Sequence, residues 1–244
     1  MQDTPTVNFP PLMPNVVLGI AAHPDDLDFG AAATMAKFAA MGADVHYLIL
    51  TDGSKGSDDR SVTTQQLIEI RQKEQRAAVK AIHGKSVEFL NYPDGELVIT
   101  LDLKKDIVSV IRRLRPDVVI TMDPSVIYSE TRGMINHPDH RAAGQAALDA
   151  VFPLARDHLA FPDLDAGGLA PHKVKTVLLT NFNRQNFFMD VSDTLELKWQ
   201  ALKSHASQIQ DVQTIKKRFT AMAAANGQVI GCRYAEGFIR LDLH

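Results

Sequence analysis

The sequence has very little cysteine, since Cys232 is the only one among its 244 residues. A single cysteine cannot form a disulfide within the chain, so we expect a protein of the reducing cytoplasm. The length is ordinary for one globular domain, and a chain of this size can bury a full core without cross-links.

Concentrated positive charge is also absent. The chain carries 26 Lys and Arg against 29 Asp and Glu, which gives a formal net charge of -3 with no basic block. Nucleic-acid binding therefore lacks its usual electrostatic footprint, and we expect no nucleic-acid partner. The longest apolar runs are too short to cross a bilayer, so we expect no membrane insertion.

The first 15 residues contain neither Lys nor Arg, and prolines interrupt them repeatedly. They lack the charged start and the continuous apolar run of a secretory signal peptide. We expect residues 1–15 to form an extended N-terminal arm and residues 16–244 to form a single domain.

Short apolar runs alternate with amphipathic segments throughout the rest of the chain. We predict strands over residues 16–22, 44–50, 86–90, 117–121 and 173–180, and helices over residues 28–41, 63–83, 101–114, 136–151, 192–209 and 212–225. This alternation predicts an α/β fold with a mostly parallel sheet and helices on both faces. The Pro- and Gly-rich segment 153–172 is too long for an ordinary connection, so we expect an active-site wall or a contact surface there.

Glycine-rich phosphate-binding motifs are missing. In parallel sheets the ligand site lies beyond the carboxyl ends of the strands, where the strand order reverses. The first predicted strand is followed there by His23, Pro24, Asp25 and Asp26, with neither G-x-G-x-x-G nor G-x-x-x-x-G-K-[ST]. Two adjacent carboxylates repel a phosphate and attract a cation, which disfavours a dinucleotide-dependent oxidoreductase. The alternative is that one aspartate simply caps the next helix.

A second polar segment follows the fourth predicted strand and runs Asn136-His137-Pro138-Asp139-His140. Taken alone, it predicts a helix start capped by Asn136, with two incidental histidines. However, the fourth strand ends at the same edge of the sheet as the first. One histidine from this segment can therefore join His23 and Asp26 around a metal ion.

Three protein ligands with an open fourth position are typical of catalytic zinc, and the same set can hold Fe²⁺. Asp25 is then a spare carboxylate that can take a proton from water, which favours hydrolysis.

The two segments together resemble the LmbE/PIG-L deacetylases, which carry A-H-P-D-D after the first strand and H-P-D-H downstream. The resemblance covers nearly the whole chain after residue 15 and implies a three-layer, Rossmann-like fold. Weaker matches are Thr51-Asp52-Gly53, Arg71 and Glu74 in R-x-x-E, Tyr92-Pro93-Asp94-Gly95, and His205-Ala206-Ser207-Gln208. One departure concerns the substrate rather than the metal: many members have Glu directly after the two aspartates, where this chain has Leu27 and then Asp28.

The resemblance implies roles for five residues of the two segments. His23, Asp26 and His140 match the ligands of Zn²⁺, with Fe²⁺ or another divalent metal as alternatives. Asp25 matches the general base. His137 matches the residue that stabilises the oxyanion or protonates the leaving amine.

Four further residues are candidates for contacting the substrate. Arg71 and Asp94 match positions that face a sugar or another polar substrate in related proteins. Tyr128 and Arg132 precede the second histidine segment and are expected to line the pocket. The alternative for Arg71 is an ion pair with Glu74 or another acid on a solvated helix face.

The expected activity is removal of an N-acyl group, above all N-acetyl, from an amino sugar or a sugar conjugate. One alternative is a zinc-dependent hydratase or lyase that acts on a small unsaturated carboxylic acid. Another is a metal-bearing binding protein without turnover, in which Asp25 has no task. Related proteins often assemble as trimers or hexamers, so the resemblance also implies a homotrimer or homohexamer.

Overall fold

A seven-stranded sheet forms the centre of the computed structural model, which describes residues 9–130, 133–181 and 184–244. The strands are β1 (Val16–Ala21), β2 (Asp44–Thr51), β3 (Ser86–Tyr92), β4 (Val118–Met122), β5 (Tyr128–Ser129), β6 (Met134–Ile135), β7 (Thr176–Thr180), β8 (Phe187–Asp190) and β9 (Ala235–Asp242). Strands β5 and β6 form a separate antiparallel hairpin.

The strand order in the central sheet is β3-β2-β1-β4-β7-β9-β8. Strands β1, β2, β3, β4 and β7 pair in parallel, while β9 runs antiparallel to both of its neighbours. The strand order reverses between β1 and β4, and this reversal places a crevice beyond their carboxyl ends.

Helices cover both faces of the sheet, which confirms the predicted three-layer α/β fold class. They are α1 (Asp26–Gly30), α2 (Ala32–Ala40), α3 (Thr64–Ala81), α4 (Leu101–Leu114), α5 (Pro138–Asp149), α6 (Pro162–Ala166), α7 (Leu195–Lys203) and α8 (Val212–Ile230), with a π-helical turn at Ala150–Leu154. Alternate residues of β1 point to opposite faces. Leu18 and Ile20 join the cluster with α4 and α5, whereas Val17 and Ala21 join the cluster with α2 and α3. Within the described residues, no helix has the length and apolar character needed to span a membrane.

Two predicted helices differ from those in the structure. The helix expected over residues 28–41 is divided at Ala31, whose φ of -149° is not helical, so that α1 starts at Asp26 and α2 at Ala32. The helix expected over residues 192–209 spans only Leu195–Lys203, and a turn-rich segment with His205 follows it.

The segment 153–172 packs around the buried side chain of Arg112 from α4, which is only 2% exposed. The guanidinium group donates hydrogen bonds to the backbone carbonyl groups of Leu154, Ala155, Asp157, Ala160, Phe161 and Leu169. A single side chain therefore satisfies much of the backbone of this irregular segment.

The substitution Arg112→Met keeps an aliphatic side chain in place and removes every donor. We expect it to lower the free energy of unfolding by about 3 kcal/mol, because buried carbonyl groups lose a charged partner. Arg113→Met is the matched control, since Arg113 is exposed and pairs with Glu88 at the surface. Its expected effect is below about 1 kcal/mol. Chemical denaturation measures both changes, and equal losses in the two variants would contradict the role of Arg112.

Candidate metal centre and active site

The first half of the site is the turn that follows β1. His23 is buried, and its backbone N–H donates to Asp26 Oδ2 at 2.7 Å. The same oxygen lies 3.5 Å from His23 Nδ1. Between these two residues, Asp25 has a φ of 90°, in the left-handed region that residues other than glycine rarely adopt. This turn brings His23 and Asp26 side by side.

The second half is the start of α5, and here the predicted cap was wrong. His137 caps the helix, because its Nδ1 accepts a hydrogen bond from the backbone N–H of Asp139 at 3.2 Å. Asn136 instead places its Oδ1 atom 3.1 Å from His140 Nδ1. The amide oxygen accepts the proton of Nδ1, which leaves the Nε2 lone pair of His140 free to bind a metal.

The two halves meet in the crevice between β1 and β4. His140 Nε2 lies 3.0 Å from Asp26 Oδ1. Ring nitrogens of His23, His137 and His140 lie within 4.8 Å of one another. Two ligand atoms bound to one tetrahedral Zn²⁺ at ~2.0–2.1 Å are roughly 3.3 Å apart. The contacts of Asp26, at 3.0 Å to His140 and 3.5 Å to His23, are close to that spacing, so the residues fit such an ion.

Two carboxylates lie behind His23. Its Nε2 atom is 3.2 Å from Asp94 Oδ1 and 3.2 Å from Asp139 Oδ2. Asp139 is 1% exposed and also accepts hydrogen bonds from the backbone N–H groups of Gly95 and Leu97. A carboxylate at the far nitrogen of a metal-binding imidazole fixes the ring and raises its basicity. Asp139 therefore contributes to the site, which its sequence position alone does not indicate.

The pKa values reflect burial and close charges. Burial raises the pKa of Asp25 to about 7, and the charge of Asp26 adds to this, while Arg71 acts in the opposite direction. Burial lowers the pKa of His137, and the neighbouring charges of His23 and His140 lower it further. A neutral His137 that accepts at Nδ1 carries its proton at Nε2, so it is a hydrogen-bond donor towards the crevice.

Arg71 is buried and does not lie on a solvated helix face. Its guanidinium group donates to the backbone carbonyl groups of Pro24, Gly53 and Lys55. It also lies 3.7 Å from Asp25 Oδ2 and 3.5 Å from Asp94 Oδ2. Arg71 thus links the loops after β1 and β2, and its contact with a substrate stays a prediction.

A cavity of about 200 Å³ opens beside Asp26 and His140, beyond the ends of β4 and β7 and against the β5–β6 hairpin. Its other lining residues are Phe29, Gly30, Met122, Asp123, Val126, Ser129, Met134, Asn136, Thr180 and Asn181. Among the described residues, no Lys or Arg lines this cavity, and the segment 153–172 contributes no lining residue to it, so its role as an active-site wall or a contact surface stays a prediction.

The remaining predicted substrate residues lie elsewhere. Asp94 is buried beside His23 and is not part of the cavity wall. Tyr128 is 61% exposed on the hairpin, where it borders a second, open depression. Arg132 lies outside the described residues.

The role of Asn136 was not predicted. Asn136 precedes the cap residue His137 and lies outside the helix, so no helical spacing indicates its contact with His140. Gln75 was also missed. It accepts a hydrogen bond from the backbone of Asp25, and nothing in its local sequence indicates this contact.

The sequence matches the PIG-L family, described as GlcNAc-PI de-N-acetylase, over residues 18–151. It is 37% identical over 223 residues to the diacetylchitobiose deacetylase of Thermococcus kodakarensis. The matched region covers 91% of this chain and 81% of that protein.

Solved structures also resemble this chain over most of its length. The N,N'-diacetylchitobiose deacetylase from Pyrococcus horikoshii, in complex with its inhibitor, superposes with a TM-score of 0.85 at 32% identity, covering 94% of this chain and 84% of that one. The 4-carboxy-2-hydroxymuconate hydratase from Pseudomonas putida gives a TM-score of 0.79 at 20% identity, covering 94% and 97%. This second likeness shows a shared fold and no more. The family match and the deacetylase relatives show that the chain belongs to the PIG-L/LmbE family, as its two histidine segments predicted.

Proposed function

We propose that this protein is a metal-dependent deacetylase that hydrolyses the N-acetyl group of an amino sugar or a sugar conjugate. The observation that carries the proposal is that Asp26 lies 3.5 Å from His23 and 3.0 Å from His140, with the carboxylate of Asp25, which among the described residues is paired only with Arg71 at 3.7 Å, beside them. The similarity to diacetylchitobiose deacetylases supports an acetylated sugar as the substrate.

His23, Asp26 and His140 are the residues that would hold the metal, with Zn²⁺ as the first candidate. Bound Zn²⁺ supplies a Lewis acid and lowers the pKa of water from ~16 towards ~7. His137 is left out of the ligand set, because its Nδ1 atom already accepts the backbone N–H of Asp139. Its Nε2–H group remains available to the substrate.

The protein residues then divide the proton transfers between them. Asp25 accepts a proton from the water molecule that adds to the amide carbonyl carbon. The Nε2–H group of His137 donates a hydrogen bond to the oxygen on which negative charge develops. As the C–N bond breaks, the carboxyl group of Asp25 returns the proton to the departing nitrogen, and the products are acetate and a free amine.

The cavity supports a neutral substrate rather than a polycarboxylate. Asp123 adds a buried carboxylate to its wall, where it accepts hydrogen bonds from the backbone N–H of Ser125 and from the side-chain amide of Asn181. Hydroxyl groups of a sugar can donate to such a carboxylate, whereas an anionic substrate is repelled by it. The same argument disfavours hydration of a small unsaturated acid.

Acetate release tests the proposal directly. Purified protein should release acetate from N,N'-diacetylchitobiose or N-acetylglucosamine. A chelator should abolish this activity, and Zn²⁺ should restore it, because the metal activates the water. Fully metal-loaded protein that releases no acetate from N-acetylated sugars, but consumes the absorbance of an unsaturated dicarboxylate, would overturn the proposal.

The variants Asp25→Asn and His140→Ala should fail in different ways. We expect Asp25→Asn to lower kcat by about 10³-fold at full metal content, since it loses the general base. His140→Ala should lower the metal stoichiometry itself, as measured by plasma mass spectrometry. His158→Ala is the control, because its side chain is 73% exposed. Normal activity in either of the first two proteins would refute the assigned roles.

Asn136 provides a test of metal binding that does not depend on the substrate. We expect Asn136→Leu to weaken metal affinity by about 10- to 100-fold in a chelator competition, because His140 loses the partner that orients it. Asn136→Asp keeps an acceptor for His140 Nδ1 and should retain most of the affinity. Equal weakening in both variants would point to the lost contact between Asn136 Nδ2 and the Val126 carbonyl group.

A further inference from the structure

The backbone of Asp25 needs external support. Its φ of 90° is rarely adopted by residues with a side chain, and such conformations persist where the surroundings hold them. The support comes from Gln75 on α3, whose Oε1 atom accepts a hydrogen bond from the backbone N–H of Asp25 at 2.8 Å.

Gln75 is itself fixed by a buried carboxylate. It is 1% exposed, and its Nε2 atom donates to Asp28 Oδ2 at 2.9 Å. Both ends of the Gln75 amide are therefore committed, one to the turn that carries Asp25 and the other to Asp28. Only one orientation of the amide satisfies both contacts, because its oxygen can only accept and its nitrogen can only donate.

Asp28 is completely buried and has two further partners. His205 Nε2 donates to Asp28 Oδ2 at 2.8 Å, and the Tyr47 hydroxyl donates to Oδ1 at 3.1 Å. Burial alone would lower the pKa of His205, but the hydrogen bond and the charge of Asp28 raise it overall. The carboxylate of Asp28 therefore accepts hydrogen bonds from three buried side chains, Gln75, His205 and Tyr47.

The loop that carries His205 is tied to the same helix as Gln75. The backbone N–H and the hydroxyl of Ser207 both donate to the Glu74 carboxylate, at 2.8 and 2.7 Å. The chain of contacts thus runs from the loop after α7, through Asp28 and Gln75, to the backbone of Asp25.

We propose that Gln75 is a positioning residue for Asp25, and that Asp28 and His205 hold Gln75 in the orientation that this task requires. The proposal rests on the role of Asp25 as general base given above. Gln75, Asp28 and His205 are each at most 1% exposed, and their link to Asp25 is the hydrogen bond that its backbone N–H donates to Gln75.

The variant Gln75→Leu tests the first link. We expect kcat to fall by roughly tenfold to a hundredfold, because a displacement of about 1 Å at a catalytic group has effects of this size. KM should change by less than about threefold, and the metal stoichiometry should be unchanged. Gln72→Leu is the matched control, since Gln72 lies on the same helix, is partly exposed, and donates to Asn91 rather than to the site. An unchanged kcat in Gln75→Leu would overturn the proposal.

A double-mutant cycle separates positioning from a general loss of structure. If Gln75 acts through Asp25, Gln75→Leu should cause no further loss of the residual turnover once Asp25→Ala is present. The same fractional loss in both backgrounds would show that Gln75 acts independently of Asp25, and it would refute the proposal.

An exchange of the two polar groups tests the second link. Gln75→Glu should lower kcat, because two carboxylates then face one another at positions 75 and 28. Asp28→Asn alone should have a smaller effect, because its amide oxygen can still accept from Gln75 Nε2 and from His205 Nε2. In the double variant, the new amide nitrogen at position 28 can donate to the new carboxylate at position 75 and to the unprotonated Nε2 atom of a neutral His205. All three contacts then exist again, with the direction reversed between positions 28 and 75 and between positions 28 and 205. We expect the kcat of the double variant to be at least about tenfold higher than that of Gln75→Glu alone. The absence of any recovery would contradict the proposed chain of contacts.

Hydrogen exchange gives a readout that needs no substrate. Measured by NMR, the amide proton of Asp25 should exchange at least about tenfold faster in Gln75→Leu than in the wild type and in Gln72→Leu, because it loses its acceptor. Unchanged protection would refute the positioning role even in an active enzyme. If the wild type is inactive but the Asp25 amide still loses protection in Gln75→Leu, the proposed deacetylase function is refuted. The support of Asp25 by Gln75 is then established.

Discussion

The parallel pairing of β1 and β4 is the constraint on which the site depends. The two strands leave the sheet at the same edge, so the turn after β1 and the start of α5 have to meet. The 3.0 Å contact between Asp26 and His140 is the result of this pairing. Residues far apart in the sequence therefore share one small volume, in which the side chains of His23 and Asp26 are each only 8% exposed.

The burial of the site brings several negative charges close together. The carboxylates of Asp25, Asp26, Asp94 and Asp139 are all largely buried around His23. Buried carboxylates repel one another and are costly without positive partners. The chain supplies Arg71, backbone N–H groups and imidazoles, and a divalent cation bound by His23, Asp26 and His140 would complete the compensation. The strong polarity of the crevice is thus a structural argument for the metal, as well as a chemical one.

The sequence predicted local features well and long-range contacts poorly. Helix α4 has the predicted bounds, Leu101–Leu114, because its apolar periodicity and its threonine cap are local signals. The break at Ala31 was missed because an alanine-rich run carries no mark of a single altered dihedral angle. The histidine segments were predicted to converge from strand topology alone. Gln75 and Asp139 were not recognised, since their partners lie on other elements, and only the folded chain brings them together.

The guanidinium group of Arg112 binds carbonyl oxygens of the segment 153–172 and none of its side chains. Every amino acid presents the same carbonyl oxygen, so this anchor does not depend on which side chains the segment carries. Evolution can therefore change the outer surface of this region, residue by residue, while its path along the protein stays the same. A sheet with a constant strand order can in this way acquire a new periphery without refolding.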